Sequence, residues 1–172
     1  MEETIYRKAE EELRNESMSF ELPEYLQIPD VGLYLDQVTK YINRYLRFLS
    51  GVPLTGSMIS NYVKQGIIRN PVKKQYDRDQ IALLMFVAVA KTILSLEDIK
   101  TIIHTGLPDD PSSKYSLFLS VMRNSMEKIF SGIENGFAPA DLTGHVLYTA
   151  LEKIHIAMLI SKAGNAEKAK EK

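Results

Sequence analysis

Residues 36–66 read DQVTKYINRYLRFLSGVPLTGSMISNYVKQG, and they predict two helices joined by a turn. The first helix is predicted over residues 36–50, because apolar side chains recur there at the spacing of one helical face: Val38, Tyr41, Ile42, Tyr45, Leu46 and Leu49. Gly51 suits the left-handed position that ends a helix, and Pro53 blocks any continuation of the helix.

A second, short helix is predicted from Ser57 to Gln65, with Thr55 as its N-terminal cap and Gly66 at its end. Its apolar side consists of Met58, Ile59 and Tyr62. Its solvent side consists of Ser57, Ser60, Asn61 and Lys64. Two helices with a glycine-containing turn between them are a candidate helix-turn-helix.

The residues after the second helix predict a wing and then a core helix. Residues 67–76 contain a proline and a basic pair, which favours a small β-wing or an extended loop. Asp77 and Gln80 then have the reciprocal capping pattern of a helix start. The helix that follows is predicted to reach about Leu94, and because it is apolar nearly all round it belongs in the core.

Further helices are predicted on both sides of this region. Residues 4–16 have a narrow apolar stripe, and residues 20–33 form a connector. One later helix is predicted to start at Ser95 and to end at Gly106, and the next starts at Asp110 and Pro111 and reaches about Ile129. A loop at 131–138 and a last helix at 139–163 follow. The predicted fold class is all-α (mainly α), with a helix-turn-helix, a small β-wing and additional C-terminal helices.

The sequence divides into four predicted segments. They are an N-terminal helix and connector at 1–33, a winged helix-turn-helix domain at 34–106, a C-terminal helical region at 107–163 and a frayed tail at 164–172. In the C-terminal region an apolar stripe has alternating steps of four and three residues, as in the seam of a packed helix pair: Leu147, Leu151, Ile154 and Met158. This stripe forms either a dimer contact or a contact within its own subunit.

Composition limits the class of protein. Of the 172 residues 45% are hydrophobic and 25% are charged, as in a globular domain. The absence of cysteine excludes disulfides, thiolate metal sites and cysteine nucleophiles. The longest apolar run, residues 81–90, is too short to span a bilayer, so no membrane association is expected. The acidic N-terminus has no apolar signal-peptide core, and a cytoplasmic location is expected.

The charges are unevenly distributed along the chain, although the net charge is −1. The N-terminal 36 residues are strongly acidic, whereas residues 61–78 carry one acid, Asp77, and five basic side chains: Lys64, Arg69, Lys73, Lys74 and Arg78. A local basic cluster of this kind binds anions even on a weakly acidic molecule. If the anion is DNA, the wing is expected to contact phosphates and the second helix is expected to contact bases. Arg44 and Arg47 are expected to add contacts with the DNA backbone.

No pattern for catalysis or metal binding is present. The sequence lacks a glycine-rich phosphate loop, a nucleophile elbow and paired carboxylates in an apolar setting. The three histidines, His104, His145 and His155, have no neighbours at metal-ligand spacing. We therefore expect neither an enzyme, nor a metal site, nor a cofactor.

Three motifs resemble the N-terminal domain of MerR-type regulators. They are ISNYVKQGII at 59–68, YDRDQIALLMFV at 76–87 and LSLEDIKTII at 94–103. The positions that match the family pattern are Tyr62, Gly66, Ile67, Tyr76, Asp79, Ile81, Leu96, Glu97, Asp98 and Ile99. The resemblance covers about residues 36–104, and the whole chain is similar to an uncharacterised MerR-like family of Gram-positive bacteria. The chain departs from the pattern at Ser60 and Asn61, where MerR proteins have arginine and tyrosine, and in its wing, NPVKKQY.

The resemblance implies a dimeric transcription regulator that binds double-stranded DNA, with its recognition helix in the major groove and its wing on phosphate. MerR-type regulators dimerise through a C-terminal helix, and here the candidate is the stripe of residues 147–158. A helical protein-interaction module without DNA binding is the alternative. An unidentified small-molecule effector, held by residues 107–163, also remains open.

Overall fold

The computed structural model describes residues 2–105, 107–131, 144, 146–155, 158 and 162. Its helices are α1 (Glu2–Ser17), α2 (Leu35–Tyr45), α3 (Gly56–Lys64), α4 (Arg78–Ala90), α5 (Leu96–Thr105) and α6 (Pro111–Ser131), with a 3-10 turn at Tyr25–Gln27. The described residues between 144 and 162 are helical too. Two short strands, β1 (Leu33–Tyr34) and β2 (Gln75–Tyr76), pair antiparallel. The prediction of a mainly α protein is confirmed.

Helix α4 lies at the centre of the molecule. Asp77 caps it and Gln80 completes the capping box, as predicted. From Gln80 to Ala90 every side chain except that of Leu83 is buried, against α2 on one side and α6 on another. The helix ends at Ala90, four residues before the predicted end, because residues 91–94 continue in turns, where the amides of Thr92 and Ile93 bond three residues back.

Helix α2 also ends earlier than predicted, at Tyr45 instead of residue 50. The amide of Leu46 still donates to Ile42 O, but that of Leu49 donates to Leu46 O, which tightens the chain into a turn. Leu46 and Leu49 stay buried, so the apolar period continues after the helix has ended. Gly51 has a φ of +80°, the left-handed conformation that was predicted for it.

The predicted caps of the later helices are confirmed. Ser95 directly precedes α5, and its Oγ accepts a hydrogen bond from the amide of Asp98 at 3.1 Å. Asp110 Oδ2 accepts the amide of Ser113 at 2.7 Å at the start of α6. The predicted end at Gly106, the loop at 131–138 and the tail at 164–172 lie wholly or mostly outside the described residues.

The C-terminal stripe packs within the subunit. Its four side chains are 0%, 0%, 3% and 8% exposed, in the order Leu147, Leu151, Ile154 and Met158. They belong to one hydrophobic cluster that extends from Leu13 in α1 through α4 and α6. The prediction that these residues form a dimer contact is therefore corrected, because side chains so deeply buried leave no surface for a partner. The alternative, a contact inside the chain, is what the structure has.

Polar contacts also fix the C-terminal helical residues to the rest of the chain. Lys162 Nζ lies 2.7 Å from Glu16 and 3.4 Å from Glu12, both on α1. Lys153 Nζ donates to Thr92 O in the turn after α4. The described residues of the C-terminal helical region therefore contact both α1 and the turn after α4. Among the described residues, no helix is both long enough and apolar enough to cross a membrane.

Candidate nucleic-acid interface

Helix α3 presents one buried and one exposed side, as its sequence predicts. The Thr55 side chain accepts the amide of Met58 at 3.2 Å and caps the helix. Ile59 and Tyr62 are buried in the core. The predicted base-reading set is on the outside, where all four side chains are exposed: Ser57, Ser60, Asn61 and Lys64. The outer side of α3 is therefore short, polar and accessible.

The segment between α2 and α3 is held in place by Asn43. Its side-chain amide donates to Leu54 O and its oxygen accepts the Leu54 amide, both at 2.8 Å. Lys91 Nζ donates to Pro53 O at 2.9 Å from the end of α4. Val52 and Leu54 are themselves buried. These contacts fix the start of α3 relative to α2.

Residues 72–75 form a tight hairpin with two lysines at its tip. Val72 and Gln75 are bridged antiparallel, and the amide of Gln75 donates to Val72 O at 2.9 Å. Lys73 and Lys74 lie between them with φ of 50° and 63°, as in a type I′ turn. Both lysines are exposed. Residues 72–75 are therefore a hairpin with its basic pair at the exposed tip, and their role as a wing stays a prediction.

The hairpin is fixed to the start of α2 by the two-stranded sheet, which the sequence did not predict. Leu33 is opposite Tyr76, and Tyr34 is opposite Gln75. Gly32 lies directly before β1, where a Cβ atom would be 2.7 Å from Gln75 Cβ. Only glycine permits this close approach of the two strands. The position of Gly32 at the end of the connector is the sequence signal that could have indicated the pairing of β1 with β2.

The base of the hairpin is closed by contacts of Arg69. Its guanidinium pairs with Asp77, and Gln80 Nε2 donates to the Arg69 carbonyl at 2.7 Å. The Arg69 side chain remains 53% exposed. A predicted phosphate ligand therefore already has a carboxylate partner, although its exposed face is accessible to a second anion.

Arg78 has a structural role, which corrects its prediction as a DNA-binding residue. Its side chain is only 19% exposed, Nε donates to Ile28 O at 2.9 Å, and the guanidinium lies 5.5 Å from the centroid of the Tyr25 ring. Asp30 lies 3.9 Å away. The Tyr25 hydroxyl donates to Asp79, and burial together with this bond raises the pKa of Tyr25 to about 12. Arg78 thus fixes the connector to the start of α4.

Five other predicted cations are exposed, and within the described part of the chain they have no ion-pair partner. They are Arg44, Arg47, Lys64, Lys73 and Lys74. All belong to residues 37–76, which contain no Asp or Glu at all and which we name the basic segment. This segment comprises α2 from its third residue, the turn after it, α3 and the hairpin. The absence of acidic residues over 37–76 is a stronger sequence signal than the basic cluster at 61–78, because this longer segment includes both helices and the hairpin.

The described residues contain no group of three or more histidine, aspartate or glutamate side chains that could hold a metal ion. The expectation that the chain is not an enzyme and uses no metal or cofactor stays a prediction.

Comparison with known proteins gives one family. The family model for a domain of unknown function (DUF1836) matches residues 23–135. The match therefore includes the connector from residue 23 onward, the basic segment and helices α4 to α6. No curated protein and no solved structure matches the chain.

Proposed function

The chain belongs to the DUF1836 family, a domain of unknown function, and we propose that it is a sequence-specific DNA-binding transcription regulator. In this proposal α2, α3 and the hairpin form a MerR-like winged helix-turn-helix. The observation that carries it is the basic segment, which has seven basic and no acidic residues in a chain of net charge −1. Its basic residues are Lys40, Arg44, Arg47, Lys64, Arg69, Lys73 and Lys74.

Helix α3 is the recognition helix in this proposal. A helix in the major groove reads base edges with short polar side chains, and α3 exposes two serines, an asparagine and a lysine. Asn61 pairs with adenine, since its amide offers a donor and an acceptor side by side. Lys64, in the last turn, bonds guanine or a phosphate oxygen. Ile59 and Tyr62 hold the other side of the helix in the core and so fix its orientation.

The hairpin tip supplies contacts to the phosphate backbone. Lysine contacts with phosphate position a protein on the duplex without reading its sequence. Lys73 and Lys74 are suited to this role because both are exposed at the tip of a rigid two-residue turn. Arg44, in the last turn of α2, and Arg47, two residues after the helix ends, add two more exposed cations of the basic segment.

We propose that the regulator binds as a homodimer. Two recognition helices related by two-fold symmetry read the halves of a pseudo-palindromic site. The dimer contact uses exposed residues and not the buried C-terminal stripe. Sedimentation equilibrium with and without an operator duplex tests this part, and a single protomer on a saturated operator would contradict it.

A protein-interaction module is the second candidate, and an exposed apolar pair favours it. Tyr34 and Val72 are 53% and 65% exposed, and Gln75 lies between them across the sheet, paired with both. A hydrophobic surface of this kind suits a protein partner better than a phosphate backbone. The double substitution Tyr34→Ser/Val72→Thr separates the candidates, because it leaves every cation of the basic segment intact and should leave DNA affinity unchanged.

Charge reversal on the hairpin tests the proposal. Lys73→Glu/Lys74→Glu should abolish binding to a labelled duplex, since repulsion from the backbone replaces two attractions. The matched control is Lys8→Glu/Lys128→Glu, which makes the same change of net charge on α1 and α6, outside the basic segment. Equal loss of affinity in both variants would mean that only net charge matters. Unchanged affinity in the hairpin variant would refute the role of the wing.

A further inference from the structure

A cavity of about 400 Å³ lies between the end of α3, residues 67–70, and helices α4, α5 and α6. Cavities of a few hundred Å³ hold small organic ligands in other proteins. Most of its wall is apolar, with contributions from Val63, Ile67, Leu83, Phe86, Ile103 and Phe118. An apolar wall of this size favours a ligand with a hydrophobic body.

Of the lysine, arginine and aspartate side chains that line the cavity, Lys114 alone has no partner among the described residues. Arg69 and Asp79 line the cavity, but Arg69 pairs with Asp77 and Asp79 accepts the Tyr25 hydroxyl. Lys114 on α6 also lines it and is half-buried. Within the described residues its ammonium has neither an ion pair nor a hydrogen bond. A cation beside an apolar cavity complements a single anionic group.

We propose that this cavity binds a small apolar acid, with its hydrophobic body against the wall and its carboxylate on Lys114. A charge-assisted hydrogen bond to the Lys114 ammonium fixes the orientation of the ligand. The hydrophobic body contributes affinity through the apolar area that it removes from water. A neutral molecule of the same shape lacks the first interaction, and a cation is repelled.

The position of the cavity makes the acid a regulator of DNA binding, an extension that rests on the proposed function. Val63 belongs to α3, and Ile67 and Arg69 lead from α3 into the hairpin. A ligand in the cavity therefore contacts the residues that join the recognition helix to the wing. Arg69, within the basic segment, lines the same cavity as the bound acid. The contact with these residues and the charge of the acid couple binding of the acid to binding of DNA. The added negative charge lowers the affinity for DNA.

Titration calorimetry of the full chain tests the site without DNA. The probes are decanoate, decanol and decyltrimethylammonium, which share one apolar chain and differ in charge, together with 2-naphthoate as a rigid acid. We expect one acid to bind per chain, decanol to bind at least about tenfold more weakly, and the cation not to bind. Failure of both acids to bind at millimolar concentration, or equal affinity for decanol, would overturn the proposal.

Two variants locate the site. Lys114→Gln should weaken binding of the acid about ten- to a hundredfold, whereas Lys128→Gln, on the same helix but outside the wall, should leave it unchanged. Leu83→Trp should fill the cavity and block binding, and thermal unfolding checks that this variant folds. An acid that binds equally well to Lys114→Gln and wild type would overturn the assignment, whatever Leu83→Trp does.

A duplex titration in the presence of the acid tests the regulatory part. Decanoate should lower the affinity of the wild-type chain for DNA but not that of Lys114→Gln. An unchanged affinity in the wild type would refute the coupling. If calorimetry detects the acid but no duplex binds under any condition, the proposed function fails and the ligand site stands. If a duplex binds and neither acid does, the ligand site fails alone.

Discussion

Replacing the hairpin tip by Asn-Gly should stabilise the protein and weaken its binding to DNA. Lys73 and Lys74 have φ of 50° and 63°, in the left-handed region that costs about 1 kcal/mol or more for an ordinary side chain. Asn-Gly is the preferred pair for this two-residue turn. Relief of strain at two positions, less the roughly 0.5–1 kcal/mol of entropy that a glycine loses on folding, leaves a gain of about 1 kcal/mol.

The same substitution removes two positive charges from the proposed phosphate contact. Each contact contributes about 0.9 to the slope of log affinity against log salt, so Lys73→Asn/Lys74→Gly should reduce that slope by about 1.8 per protomer. Thermal unfolding should show a midpoint higher by roughly 2–4 °C, and anisotropy of a labelled duplex gives the slope. A variant of higher stability and lower affinity would mean that the strained lysines are retained for binding.

A second variant separates charge from turn geometry. Lys73→Gln/Lys74→Gln removes the charges but keeps two ordinary side chains at positive φ, so it should lose the same salt slope without the gain in stability. An Asn-Gly variant that binds DNA with the wild-type slope would refute the reasoning. So would an Asn-Gly variant less stable than the Gln-Gln one, since the turn would then not be the source of strain.

Three other substitutions test the framework of the site. Asn43→Ala should lower the free energy of unfolding by about 1–3 kcal/mol, because it leaves both polar groups of Leu54 unpaired, whereas Asn124→Ala on the exposed face of α6 should change little. Arg78→Ala should lower the melting temperature and leave the salt slope of DNA binding unchanged, and a loss of slope would restore Arg78 as a phosphate ligand. Leu151→Ala should destabilise the chain by about 2–5 kcal/mol at unchanged oligomeric state, and dissociation of a dimer at unchanged stability would contradict the intrachain packing.

Local signals predicted most of the helical framework. Capping patterns at Thr55, Asp77, Ser95 and Asp110 depend on side chains within three residues of the amides that they bond, so the sequence alone contains the whole interaction. The apolar run after Asp79 predicted the core helix for a similar reason, since burial on every side needs no knowledge of which neighbours provide it. Two helix ends were wrong because apolar periodicity continues through the turns at 46–49 and 91–94.

Interactions between distant segments could not be predicted in this way. A two-residue strand such as β1 has no alternation to detect, and its pairing depends on how the connector returns to the hairpin. Arg78 was assigned to DNA by its charge, whereas its role is set by Ile28 and Tyr25, about fifty residues away. The C-terminal stripe has the same pattern in a dimer seam and in a subunit core, and only the position of α1 and α6 distinguishes them.

The most direct test of the central claim is the salt dependence of binding to a labelled random-sequence duplex, measured by fluorescence anisotropy on the wild-type chain. Five exposed, unpaired cations in the described basic segment predict a log–log slope of about −4.5 for each bound protomer, at about 0.9 per phosphate contact. A slope near that value would support a phosphate-binding surface formed by α2, α3 and the hairpin. No binding at about 50 mM salt, where such contacts are strong, would contradict the account and leave the protein-interaction module as the better description.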